Sequence, residues 1–166
     1  MTLTVEDGTL VAGADSYISL EDAREYATSR GITLNATDGT AEVQLRKAFD
    51  YIEAMRTRFQ GEKSDETQES QWPRSNVFID GIELDDDVIP SLLKYAQVHY
   101  AAAIEGGLDI MPTETGEAFV TREKIGPIDT EYSQYVRTSG IPTVRTGDAL
   151  IAPLLVSRGT LTTVRA

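Results

Sequence analysis

The sequence predicts a mainly α fold: a small helical bundle carrying a projecting β-hairpin and an extended C-terminal arm. Three observations predict it. Leu45, Ala48, Phe49, Ile52, Met55 and Phe59 recur at the spacing of one helix face. An alanine-rich run opens at Pro90 and closes at Gly106-Gly107, the residues that favour helix starts and ends. After Pro112 the helical spacing gives way to two short strand-like stretches around Gly126-Pro127. The organisation that follows is a helical bundle over 1–110, a β-hairpin over 111–135, and a C-terminal segment with its arm over 136–166. At 166 residues this is one domain with an appended arm.

In chain order, Leu3-Thr4-Val5 reads as a short strand. Ser19 reads as an N-cap with Asp22 three residues on, and Leu20, Ala23, Tyr26 and Ala27 share a helix face that ends at Arg30-Gly31. A second helix begins near Thr40. Residues 60–88 form a long connection holding Val77-Phe78-Ile79 and an Asp80-Gly81 turn. The third helix should bury Leu92, Leu93, Ala96, His99, Tyr100 and Ala103. The hairpin strands are expected over 118–125 and 128–132. Asp148 to Leu155 reads as a short helix bent at Pro153, and Gly159 to Val164 as an orphan strand suited to another chain's sheet edge.

The single tryptophan lies in Gln71-Trp72-Pro73-Arg74, within an otherwise polar stretch. A large aromatic there needs cover that its sequence neighbours cannot supply. Proline at 73 restricts Trp72 to extended backbone, and Arg74 adds a planar charged fork. Trp72-Pro73-Arg74 therefore reads as an anchor, either to the chain's own core or to another chain.

Net charge is −12 and unevenly spread. Residues 1–132 carry 11 Lys/Arg against 26 Asp/Glu, whereas residues 133–166 carry Arg137, Arg145, Arg158 and Arg165 against Asp148 alone. An acidic body has the wrong sign for counterion-releasing attachment to a nucleic-acid backbone. A basic tail on an acidic body suits the tail of one copy lying on the body of another. No run approaches the roughly 18 apolar residues of a membrane span, and the N-terminus lacks a signal pattern. With no cysteine there is no disulfide or zinc–thiolate chemistry. Synthesis in the cytoplasm and no membrane partner are the expectation.

Catalytic signals are missing. His99, the one histidine, lies mid-helix among apolar residues, without a local nucleophile to serve. No phosphate-cradling or dinucleotide glycine loop is present. Asp85-Asp86-Asp87 lacks the alternating ligands and central glycine of a calcium loop and reads as charge ahead of the third helix. The chain is read as a non-enzyme with no catalytic, cofactor-binding or metal residues.

Val5-Glu6-Asp7-Gly8-Thr9, Ala14 to Ser19, Arg30-Gly31, Phe59-Gln60-Gly61, Gln68 through Trp72-Pro73-Arg74, and Ile89-Pro90 occur in an order that resembles one family. It is that of tailed-bacteriophage head–tail connector adaptors, or head-completion proteins, also catalogued as DnaT-like single-stranded-DNA-binding proteins. The resemblance covers about residues 3–106, and Ala149 to Leu155 more loosely. It implies that Trp72, Pro73 and Arg74 form a structural clamp pinning the 60–88 connection onto the helical bundle, with Arg74 meeting a carboxylate of its own chain or a neighbour's. One departure is Ser70, where the family usually carries leucine, and it would loosen the packing of the tryptophan motif. The resemblance implies a ring homo-oligomer of twelve copies beneath the portal protein. The ring would bridge the portal to the next neck or tail-completion protein, with double-stranded DNA passing through the channel without sequence-specific binding. The expected place is the virion neck. Phe119, Val120, Ile125, Ile128, Arg145, Arg158, Leu161, Val164 and Arg165 are the candidate inter-subunit or portal and tail contacts. The alternative function is a single-stranded-DNA-binding replication accessory protein.

Overall fold

The structure is a computed structural model that describes residues 2–112, 122–125, 128–131 and 143–156. Helix α1 spans Leu20–Ser29. Its Ser19 Oγ accepts from the Asp22 amide at 3.1 Å and donates to Asp22 Oδ2 at 2.7 Å, a reciprocal cap that satisfies an otherwise orphan donor. Gly31, at φ +65°, reverses the chain after it. Helix α2 spans Asp38–Ala54 and starts two residues before the expected Thr40. It runs into a 3₁₀ turn, Arg56–Arg58.

Helix α3, Ser91–Glu105, is the centre of the bundle. Helices α1 and α2 pack on it, as does α4, Arg145–Ile151. This central position changes which residues it buries. Leu93, Ala96, Gln97, Val98, Tyr100 and Ala101 are buried, whereas the expected Leu92, His99 and Ala103 are only half-buried. A helix covered on several sides has no single stripe. Gln97 is fully buried because its polar ends are matched: Oε1 accepts from the Tyr17 amide at 3.0 Å, and Nε2 donates to Ser16 Oγ and the Leu45 carbonyl, both at 2.9 Å. Helix α4 begins ahead of the expected Asp148 and passes into a second 3₁₀ turn, Ala152–Leu154. A Cβ at Gly147 would lie 2.8 Å from the Tyr100 ring, so the glycine permits the close approach of α4 to α3.

Among the described residues, three two-stranded antiparallel ribbons accompany the helices. Strand β1, Glu62–Lys63, pairs with β2, Arg74–Ser75, and β3, Phe78–Ile79, pairs with β4, Ile82–Glu83. Asp80 and Gly81 both have positive φ, the requirement of a tight hairpin turn. Strand β5, Arg122–Ile125, pairs with β6, Ile128–Glu131, in the register Ile125 to Ile128 and Arg122 to Glu131. The expected first part of β5, 118–121, lies outside the described residues, as does Tyr132. The N-terminal segment contributes one parallel bridge, Val5 to Ser16, in place of a strand. The chain closes where Phe59 bridges Leu155, flanked by Gln60 N to Leu154 O at 3.0 Å and Val156 N to Arg58 O at 2.7 Å. Leu45, Ile52, Leu93, Tyr100, Ile151, Leu154 and Trp72 belong to one continuous core.

Candidate interaction surface and the tryptophan clamp

Trp72 is fully buried. Its indole meets the Phe59 ring edge-on, with centroids 5.7 Å apart at 85°, the favoured geometry for an aromatic pair. The Trp72–Pro73 peptide bond is cis. Arg74 is buried beside them and meets backbone in place of the expected carboxylate. Nε donates to the Gln60 carbonyl and Nη2 to the Gly61 carbonyl, both at 2.7 Å, and Nη1 donates to the Gln71 carbonyl at 3.3 Å. The physical reason is geometric: three carbonyls converge where β1 enters and the clamp leaves, and a guanidinium fork can satisfy all of them. Its carbon lies 5.8 Å from the Phe59 ring centroid.

The rest of the 60–88 connection is tied down by its own polar side chains. Buried Gln68 donates to the carbonyls of Ser70 at 3.0 Å and Pro73 at 2.9 Å, and accepts from the Ser64 amide at 3.2 Å. Lys63 Nζ donates to the Gln68 carbonyl at 2.8 Å. Ser70, expected to loosen the motif, is buried and donates to the Trp72 carbonyl at 2.6 Å. The Ser70 hydroxyl thus bonds the backbone within the motif. Gly61, at φ +63°, lies so close to the Ser75 carbonyl that a Cβ would sit 1.9 Å away.

Two carboxylates, buried Glu6 and half-buried Glu53, tie down the N-terminal loop and this connection, and neither stands out in the sequence as a structural residue. Glu6 accepts from the amides of Gly8 at 2.9 Å, Leu10 at 3.1 Å and Val11 at 2.9 Å, gathering the N-terminal loop around one side chain. Its location inside Val5-Glu6-Asp7-Gly8-Thr9 was the available signal. Glu53, on α2, accepts from the Gln71 amide and from the Tyr17 hydroxyl. Burial pushes the Glu53 carboxyl above its ordinary value, with those hydrogen bonds opposing the shift.

The remaining candidates divide by position. Arg145 is exposed at the start of α4, and Ile125 and Ile128 are register partners in β5 and β6. Phe119, Val120, Arg158, Leu161, Val164 and Arg165 lie outside the described residues. His99 Nε2 is 3.3 Å from the Tyr26 hydroxyl, and burial together with nearby Arg30 holds the imidazole below its usual value, hence neutral at pH 7. Asp85, Asp86 and Asp87 are exposed, and no side-chain cap bond forms at the start of α3. Among the described residues no three acidic, histidine or cysteine side chains converge as a metal site. No helix of the described residues is long and apolar enough to cross a membrane.

One surface cluster combines aromatics with cations. Tyr26 stacks on Tyr95 at 4.0 Å and 12°, and the Arg30 guanidinium lies 4.1 Å from the Tyr26 centroid. The cleft beside it also carries Lys94, but Asp22 and Glu25 line it too.

The family described as “Putative DnaT-like ssDNA binding protein” matches residues 1–166. The chain belongs to this family. No curated protein and no solved structure matches it. In this member of the DnaT-like family the tryptophan motif lies in the core: Ser70 and Arg74 donate to backbone carbonyls, while the buried Trp72 Nε1 has no hydrogen-bond partner among the described residues.

Proposed function

We propose that the chain is a structural virion protein, an adaptor that forms a twelve-copy ring between the portal and the neck or tail, with the genome passing through its centre. The observation that carries this reading is the charge of the folded body. Residues 2–112 carry nine Lys/Arg against 21 Asp/Glu. An acidic wall repels phosphates, so DNA slides past rather than sticking. An acidic body with a basic C-terminal arm also supplies two unlike patches, the requirement of the head-to-tail contacts that close a ring. The reading assigns the protein no catalytic step, and its partners are its own copies, the portal protein and the next neck component. Electron microscopy of the purified protein and of virions tests it: rings and a place in the neck are expected, and a monomer absent from virions would overturn it.

Single-stranded DNA binding, the function in the family description, is the second reading, favoured by the Tyr26–Tyr95–Arg30 stack. Non-specific single-strand binders join a basic groove to aromatics that stack on bases. Here Tyr26 already has Tyr95 against its ring and Arg30 over it, and two carboxylates share the cleft. A titration with fluorescent oligonucleotide at low salt separates the readings. Salt-sensitive micromolar binding abolished by Tyr95→Ala would favour this second one.

A further inference from the structure

Beyond the end of α3 the chain turns back along α2. Leu108 N bonds to the Ala103 carbonyl at 3.0 Å, and Gly107 takes φ +87°. Between this turn and α2 lies a groove of about 500 Å³. Ile104, Leu108 and Met111 supply its apolar surface, and Met111 is 51% exposed. Asp50 and Asp109 line it alongside Lys47. Lys47 and Asp50 share an α2 stripe with Val43, itself 48% exposed, which extends the apolar surface by a turn.

Asp50 is the informative residue. It makes no hydrogen bond or ion pair among the described residues, and partial burial and the neighbouring Asp15 raise its carboxyl above the ordinary value. A carboxylate so placed gains from an incoming cation.

We propose that this groove seats the C-terminal arm, residues 157–166, of a neighbouring copy, an inference that rests on the ring reading and specifies one of its contacts. The occupant is argued from chemistry and reach. In an extended arm, Leu161, Thr163 and Arg165 share one face, pairing an apolar anchor with a cation about 13 Å away. That spacing matches an apolar surface with an acidic edge. The described residues end at Val156, whose amide donates to the Arg58 carbonyl. Ten further residues span up to about 33 Å when extended, enough to cross to an adjacent copy. Arg158 adds a second cation, so arm and groove have opposite charge as well as apolar faces.

The absence of native cysteine gives a direct test on the full-length chain. Met111→Cys and Thr163→Cys chains are purified separately, mixed and oxidised. The expected result is a mixed disulfide dimer, well in excess of either homodimer. Its yield should fall at least fivefold when the groove chain also carries Asp50→Arg, and recover when the arm chain carries Arg165→Glu. No mixed dimer, while native mass spectrometry still shows rings, would overturn the arm seat and leave the ring reading standing. A disulfide within one dilute, doubly substituted chain would overturn it too, by placing the arm on its own groove. Absence of both mixed dimer and any oligomer would remove the two proposals together.

Discussion

At the scale of single residues, the molecule depends on polar groups buried with their partners. Trp72 illustrates the apolar side: it touches the core, and replacing it with alanine should cost about 3–5 kcal/mol, read as a lower urea midpoint in the isolated chain. An unchanged midpoint would mean that the indole is not a core residue. Gly61→Ala should also destabilise, by at least about 1–2 kcal/mol, because the backbone conformation and the Ser75 carbonyl both oppose a side chain there. Glu53 gives a pH dependence. Its folded carboxyl holds a proton more tightly than the unfolded one, so its stabilising contribution is complete below the ordinary carboxylate value and is lost as pH rises through the raised value. Thermal melts from pH 4 upward should therefore fall less steeply for Glu53→Gln than for the native chain; equal slopes would contradict the assignment. Little of this residue-level detail was legible in the sequence. Gln97, Glu6 and Glu53 look like ordinary polar surface residues, and only the fold supplies the amides and carbonyls that make their burial stable. Arg74 was anticipated as a charged fork, yet its carbonyl partners depend on a convergence of backbone that no spacing reveals.

At the scale of elements, local chemistry was far more readable. Ser19 with Asp22, Gly31, Pro90 and Gly106-Gly107 mark helix ends by rules that act within a few residues, and α1 and α3 follow them closely. The Asp80-Gly81 turn likewise marks β3–β4, and the paired strands β5 and β6 lie on either side of Gly126-Pro127 in the sequence. The missed features are those set by neighbours. The buried residues of α3 differ from the expected stripe because α4 packs on it from a distant part of the chain, and α4 itself starts earlier than its apolar run suggests. The arm is a separable element by this account. Deleting residues 157–166 should leave the melting temperature of the body unchanged, since its core closes by Val156, while weakening self-association at least tenfold by analytical ultracentrifugation. Full association of the truncated chain would show that the arm has no part in assembly.

At the scale of the whole molecule, the mainly α class was legible because helical periodicity and terminal signals agree along most of the body. The surface was legible only as charge: the sequence shows an acidic body and a basic end, but the groove beside Asp50 arises from residues brought together by the turn after α3. The family's description speaks of single-stranded DNA, while the proposed ring rests on the acidic charge of the body; buried Trp72, Tyr17 and Tyr100 are not exposed for stacking on bases. A reconstruction of the virion neck by electron cryomicroscopy tests that claim most directly. The account predicts a ring of this chain between the portal and the next neck component, acidic toward the channel. Purified virions that lack the chain, with the portal contacting a different protein at that level, would contradict it.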